Sequence, residues 1–282
     1  MTGALIAMGI GVVASSVIHL SQGLMKLGIQ RMRATRPQPR ARMIYALGLG
    51  LNFSAPFWVM LANPFAPTIF FTSMYAVGLI VLLWFSCTFL GETLRMRQFA
   101  GVGIIIAATL IIAGGELVNG AIPMDQVALG PFMSMAVVWL VTIPLLGLWF
   151  QRRTDRVREV FFGLAAGGFL ALDALVKGLA QSGLEGSTFL PQTGLGWGLL
   201  VLSFLGAAGA FGMMQWAYVR ECRAPIVAAN YNVGYVTLPL LFVPLATTGG
   251  AIGWWCVVGV GLLVVGMITL SGGQGGEGRS SS

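Results

Sequence analysis

The sequence predicts an all-α integral membrane fold of nine transmembrane helices. Three observations carry that expectation. Charged residues make up only 9% of the chain and apolar types 57%, with a mean hydropathy of +0.86, whereas a soluble globular protein carries about 25% charged residues. So few charges cannot cover a water-exposed surface, so most of the outer surface faces lipid. The basic residues gather in short clusters between long apolar runs. Finally, the first and second halves of the chain carry short motifs in the same order.

A helix needs about 20 apolar residues to cross the hydrocarbon layer. Nine such spans are expected, at 3–27, 44–63, 66–89, 98–114, 128–150, 159–180, 196–219, 224–246 and 251–270. Each break has a physical cause. Arg31 to Arg42 is too charged to lie in lipid. Asn63-Pro64 and Pro67 end one span and begin the next, because proline suits a helix start and disfavours its interior. Gly91-Glu92, the Gly/Pro/Asp stretch 114–125, Arg152 to Glu159, Gln181 to Gly196, Arg220 to Arg223 and Thr247 to Gly250 make the other breaks.

Orientation follows from lysine and arginine, which favour the cytoplasmic side. With the N-terminus outside and the C-terminus inside, 15 of the 16 basic residues are cytoplasmic. The exception is Lys177, inside a span. The same partition explains the net charge of +7 without invoking nucleic acid. The N-terminus lacks a basic segment and a cleavage site of the kind that mark a signal peptide, so the first span is expected to be retained. Cys87, Cys222 and Cys256 are isolated and form neither a metal knuckle nor a disulfide frame. The Gly/Ser-rich stretch 272–282 is expected to be a disordered tail.

The internal repeat relates residues 1–115 to 158–270, with the 128–150 helix as linker. Asn63-Pro64-Phe65-Ala66-Pro67, Tyr75-Ala76-Val77-Gly78 and Gly101-Val102-Gly103 recur as Cys222-Arg223-Ala224-Pro225, Tyr231-Asn232-Val233-Gly234 and Gly259-Val260-Gly261. Upstream, Ser21-Gln22-Gly23-Leu24 matches Val176-Lys177-Gly178-Leu179. An odd number of spans, five, separates equivalent positions, so the halves are expected to be inverted in the membrane. Inverted repeats are a recurring architecture of secondary transporters.

Ala66-Pro67, Phe89-Leu90-Gly91-Glu92-Thr93-Leu94 and the stretch from Gln98 to Ile112 together resemble the drug/metabolite transporter superfamily (EamA-like). The resemblance covers the first half well and the second in outline. In the second half the turn Thr247-Thr248-Gly249-Gly250 lacks the glutamate. Each half is similar to a small multidrug resistance subunit, a family that exchanges protons on a glutamate of its first helix. Matching Ser21-Gln22-Gly23 to that family's motif puts Gly11 at the glutamate position, and Ala166 in the second half, so the chain departs from the pattern twice. Nine spans with an external N-terminus are similar to the magnesium-transporter-like branch.

Ionisable residues within a span are costly and point to function. Asp173 and Lys177 lie four apart, on one helix face, and are expected to line a central cavity. Ser15, His19, Gln22 and Lys26 form a polar stripe on the first span, and such a stripe turns to the bundle interior. Asn230, Tyr231, Asn232 and Tyr235 stand on the eighth span, among Pro225, Pro239 and Pro244, and Tyr75 stands on the equivalent third span. Asn52 and Trp58 are candidates on the second. Asp173, Lys177, His19, Gln22, Asn230, Tyr231, Asn232, Tyr75, Tyr235, Asn52 and Trp58 therefore form the candidate substrate-binding set. Glu92 is expected to cap the following helix or to pair with Arg95 or Arg97.

No catalytic residue, metal site, nucleotide-binding motif or cofactor is expected, and the chain is not expected to be an enzyme. The expected function is secondary active transport of a small polar or amphipathic metabolite by alternating access. The alternatives are a magnesium or other divalent-cation transporter and, further off, a lipid scramblase or membrane enzyme. Cation transport asks for several oxygen ligands in the membrane, and Asp173 is the one clearly embedded carboxylate. Expected partners are a small-molecule substrate, the lipid bilayer, and protons or another coupling ion, with no nucleic acid. The chain is expected as a monomer or homodimer in a bacterial inner (plasma) membrane.

Overall fold

The computed structural model describes residues 2–34, 39–92, 95–183, 186–247 and 252–271. The expected tail, 272–282, and residues 248–250 of the expected turn Thr247 to Gly250 lie outside the described residues. The architecture is all-helical apart from a two-residue antiparallel pairing of Ser182–Gly183 with Gly186–Ser187. The helices are α1 (Thr2–Arg33), α2 (Ala41–Ala62), α3 (Thr68–Leu90), α4 (Met96–Asn119), α5 (Leu129–Phe150), α6 (Asp155–Gln181), α7 (Gly194–Val219), α8 (Ala224–Leu245) and α9 (Trp254–Ser271). Among the described residues, α1 to α8 are long and apolar enough to cross a membrane, and Trp254–Leu270 in α9 is a shorter apolar helix. The chain is an integral membrane protein.

Local chemistry sets the helix ends. Pro67 and Pro225 stand at the starts of α3 and α8, where a missing N–H costs nothing. Gly91 takes φ +65 at the end of α3, a left-handed position that terminates helices cheaply at glycine. The Thr193 hydroxyl accepts from Gly196 N at 3.0 Å and caps α7. The Gln98 side chain accepts from Arg95 N at 2.9 Å at the start of α4.

Two of the apolar helices are irregular along their length. α2 is interrupted between Asn52 and Ala55. Pro56 has no N–H to offer the Asn52 carbonyl, and Phe53 and Ser54 turn instead. α3 tightens to a 3-10 helix over Met74–Gly78 and widens to a π turn over Ser86–Leu90. Gly78 lies directly beneath the Ser15 carbonyl and His19 of α1, where any side chain would collide.

The buried helices are α3, α6 and α8, while α2 and α5 are peripheral. α1 packs on α2 and α3, and α6 packs on α7 and α8. Across the two groups α3 meets α8, α1 meets α8, α6 meets α3, and α4 pairs with α9. The α4–α9 pair is antiparallel, since Gly101 approaches Gly266 while Gly259 approaches Ile112. α5 rests against α6 and α8. Close approaches of this kind hold membrane helices together, because lipid tails leave no hydrophobic drive between them.

Candidate functional site

Three polar groupings lie within the bundle. The first joins α1 to α8. His19 is fully buried, and its Nδ1 is 2.7 Å from the Ser15 carbonyl. A carbonyl can only accept, so Nδ1 carries the proton and Nε2 is an acceptor. Asn232 Nδ2 donates to that Nε2 at 3.0 Å and to the Ala228 carbonyl at 2.8 Å. Tyr75 packs against His19 with ring centroids 5.4 Å apart. It also meets Tyr231 at 6.0 Å and Tyr235 at 4.7 Å. The Tyr75 and Tyr235 hydroxyls have no partner among the described residues.

The second grouping is the Asp173–Lys177 ion pair on α6, with both side chains fully buried. Lys177 does not snorkel. Its Nζ lies 4.8 Å above the Phe204 ring of α7. The four-residue spacing lets the two charges neutralise each other, and the pair is then covered by Phe204.

The third grouping lines a cavity of about 450 Å³ between α1, α2, α6, α7 and α8. Gln22, Asn52 and Tyr231 reach it, beside Ile18, Leu170, Phe53, Phe204 and Phe211. Asn52 Nδ2 also donates to the Ser21 hydroxyl at 3.3 Å. Asp173 and Lys177 are not among the residues lining it, whereas Phe204, the ring beside Lys177 Nζ, is. Trp58 is occupied elsewhere, donating to the Ser54 hydroxyl at 3.0 Å across the break in α2. Asn230 sits in the α6–α8 contact, its Nδ2 donating to the Ile226 carbonyl at 2.8 Å.

Sequence reasoning missed the closures at the two ends of the bundle. At the basic end Lys26 pairs with Glu92 and donates to the Cys222 carbonyl at 3.0 Å. Glu92 Oε1 is also 3.4 Å from Ala224 N, so this carboxylate bridges α1 and the start of α8. Beside it Arg223 makes a two-pronged contact with Glu159, Nη2 to Oε2 at 2.8 Å and Nε to Oε1 at 3.0 Å. Glu159 also accepts from Arg223 N at 2.8 Å. Cys222 lies in this turn. Burial, with the Glu159 charge adding to it, pushes its thiol up to about 11, so it stays protonated at neutral pH.

At the opposite end the closure is uncharged. Asn63 Nδ2 donates to Gln181 Oε1 at 2.7 Å, and the Thr68 hydroxyl donates to Asn63 Oδ1 at 3.1 Å. Gln181 Nε2 donates in turn to the Phe189 and Met60 carbonyls, at 2.9 and 3.1 Å. The available signal was positional. Glu92 and Glu159 are acidic residues set beside clusters of arginine, which is the pattern of a lock rather than of a cytoplasmic anchor. Among the described residues no group of three or more His, Cys, Asp or Glu is placed to hold a metal ion. No protein-family model, curated protein or solved structure matches the chain.

Proposed function

We propose that the chain is a secondary transporter that moves a small polar or amphipathic solute by alternating access between two inverted halves, 1–115 and 158–270. The observation that carries this reading is the correspondence of the end closures. Lys26 of α1 binds the turn that leads into α8, and Gln181 of α6 binds the turn that leads into α3. The motif matching that aligns Ser21 with Val176 also aligns Lys26 with Gln181, and Ala66-Pro67 with Ala224-Pro225. Each closure is thus the counterpart of the other, and the cavity lies between them.

Packing supports the same repeat. A methyl on Gly101 would meet the Gly266 carbonyl at 2.9 Å, and one on Gly259 the Ala108 carbonyl at 3.4 Å. With Gly101 matched to Gly259, these two contacts exchange. Gly11 faces the Phe71 carbonyl and Met74, while Gly163 faces the Val227 carbonyl and Asn230. That pairs Gly11 with Gly163, about one turn from Ala166, so α1 and α6 correspond with a slip in register along their length. In this reading α9 is the ninth span, the N-terminus is external, α5 is the linker and the host is a bacterial inner membrane. Opening one closure while the other holds yields the two access states. Divalent-cation transport gains no support, since no carboxylate is among the residues lining the cavity.

The test is uptake by proteoliposomes of a metabolite panel under an imposed pH gradient, with protein-free liposomes as reference. Solute uptake that saturates and shows counterflow is expected. A panel-wide absence of protein-dependent uptake, or a non-saturating leak without counterflow, defeats the proposal.

A further inference from the structure

The cavity has an unusual wall. It lies where α2 and α7 face each other, and there the two helices meet through side chains. Tyr45 donates to Gln215 Oε1 at 3.2 Å nearer the basic end. Deeper in the bilayer the rings of Phe53 and Phe211 stack with centroids 6.2 Å apart. Phe53 is 68% exposed and lines the cavity. It stands on the interrupted stretch of α2, where its own N–H bonds to the Leu49 carbonyl at 3.0 Å but the Ser54 N–H turns to the Leu51 carbonyl at 3.1 Å. The Phe53–Phe211 ring pair thus stands in the cavity wall, between α2 and α7.

The lining defines what fits. Among the described residues no charged side chain lines the cavity. Phe204, Phe211, Phe53 and Tyr231 offer flat aromatic surfaces. Gln22 is only 2% exposed, lines the cavity, and its Oε1 has no hydrogen-bond partner among the described residues. A buried acceptor left unpaired is destabilising, and a donor on the ligand removes that cost. A volume of about 450 Å³ falls within the usual range for small-molecule sites.

We propose that this cavity takes an uncharged aromatic amphiphile carrying one hydroxyl or N–H donor, and that the molecule enters sideways from the bilayer between Phe53 and Phe211. The donor meets Gln22 Oε1, and the aromatic body lies among the rings. The assignment rests on the transport reading only in taking this cavity as the loading site. The ion pair on α6 is not among the residues lining the cavity, so an anionic or cationic body finds no countercharge in the described cavity wall.

The test uses the full chain in lipid nanodiscs with radiolabelled 2-naphthol as probe and empty nanodiscs subtracted. Saturable binding is expected. Unlabelled 2-methoxynaphthalene, which has the same rings and no donor, is expected to compete about tenfold less well, the effect of one lost hydrogen bond. Naphthalene-2-sulfonate is expected not to compete. Gln22→Leu is expected to weaken 2-naphthol to the level of the methoxy compound and to leave the latter unchanged. For the route, Phe53→Cys and Phe211→Cys are joined by a short reducible linker in a Cys87→Ser background. The linker is expected to slow association about tenfold or more, and its reduction to restore the rate, which also shows that the variant is folded. Equal competition by all three compounds, preference for the sulfonate, binding that never saturates, or a linker without effect on the rate each overturns the proposal. Because binding is read without a gradient, its failure is separate from a failure of flux: uptake of another solute without 2-naphthol binding removes this inference alone.

Discussion

Asp173 and Lys177 show how a charge is kept inside a membrane protein. Each alone is expensive in the bilayer, about 3 kcal/mol on insertion scales. Together they form a neutral unit, with Lys177 resting on the Phe204 ring. Removing one partner leaves the other buried and uncompensated, which typically costs about 3–5 kcal/mol. Asp173→Asn is therefore expected to lower thermal stability and to impair uptake. The double variant Asp173→Asn/Lys177→Met is expected to recover most of the stability, because replacing a buried pair by apolar or neutral groups is often close to neutral. Uptake is expected to stay impaired in the double variant, measured at matched amounts of folded protein. Recovery of both stability and uptake would make the pair a packing feature only. His19 differs, since both ring nitrogens are already engaged.

At the scale of helices, much was legible and some was not. Hydropathy located the helices because lipid imposes length and composition on each of them separately. The breaks at Asn63-Pro64 and at Arg220 to Arg223 followed from proline and charge. The interruption of α2 was not read, although Pro56 marks it, because an apolar window averages over a single missing hydrogen bond. The 3-10 segment of α3 coincides with the close approach of α1 at Gly78, a tertiary fact. The polar stripe of α1 was correctly turned inward, yet the partners of Lys26 and Gln181 come from distant turns that no local pattern connects. Close approach also separates glycines that look alike in sequence. Gly163 and Gly103 both lie within helices. A methyl on Gly163 would stand 2.6 Å from Asn230 Cβ, and one on Gly103 would meet nothing within 4 Å. Gly163→Leu is expected to abolish the monodisperse folded protein in gel filtration, and Gly103→Leu to leave it intact. Equal behaviour of the two would mean that α6 and α8 do not meet as described.

For the whole molecule, the first question is which way it sits. In the proposed orientation residues 31–42 are cytoplasmic and the segment between α6 and α7 is outside. A single cysteine at Thr35, in a background lacking the three native cysteines, is expected to react with an impermeant maleimide only after the membrane is opened. One at Ser187 is expected to react in intact cells. The reverse pattern inverts the molecule, and with it the assignment of the ionic closure to the cytoplasmic side.

The two closures differ in strength, and that difference belongs to the molecule as a whole. A hydrogen bond to a charged group contributes about 1.5–3 kcal/mol and a neutral one about 0.5–1.5 kcal/mol. The Lys26–Glu92 end, reinforced by Glu159 and Arg223, is thus held harder than the Asn63–Gln181 end. Loss of 1.4 kcal/mol from one side shifts an equilibrium between access states about tenfold. Lys26→Met/Glu92→Gln removes both charges together and leaves no unpaired ion. It is expected to expose Ser73→Cys, in the middle of α3, to a membrane-impermeant thiol reagent supplied from the basic side. Asn63→Ala is expected to expose the same position from the opposite side, by a smaller factor. Labelling is followed in right-side-out and inside-out vesicles, again without the native cysteines. If both variants label from the same side, or neither labels faster than its parent, the ends do not gate a shared path and alternating access loses its structural basis.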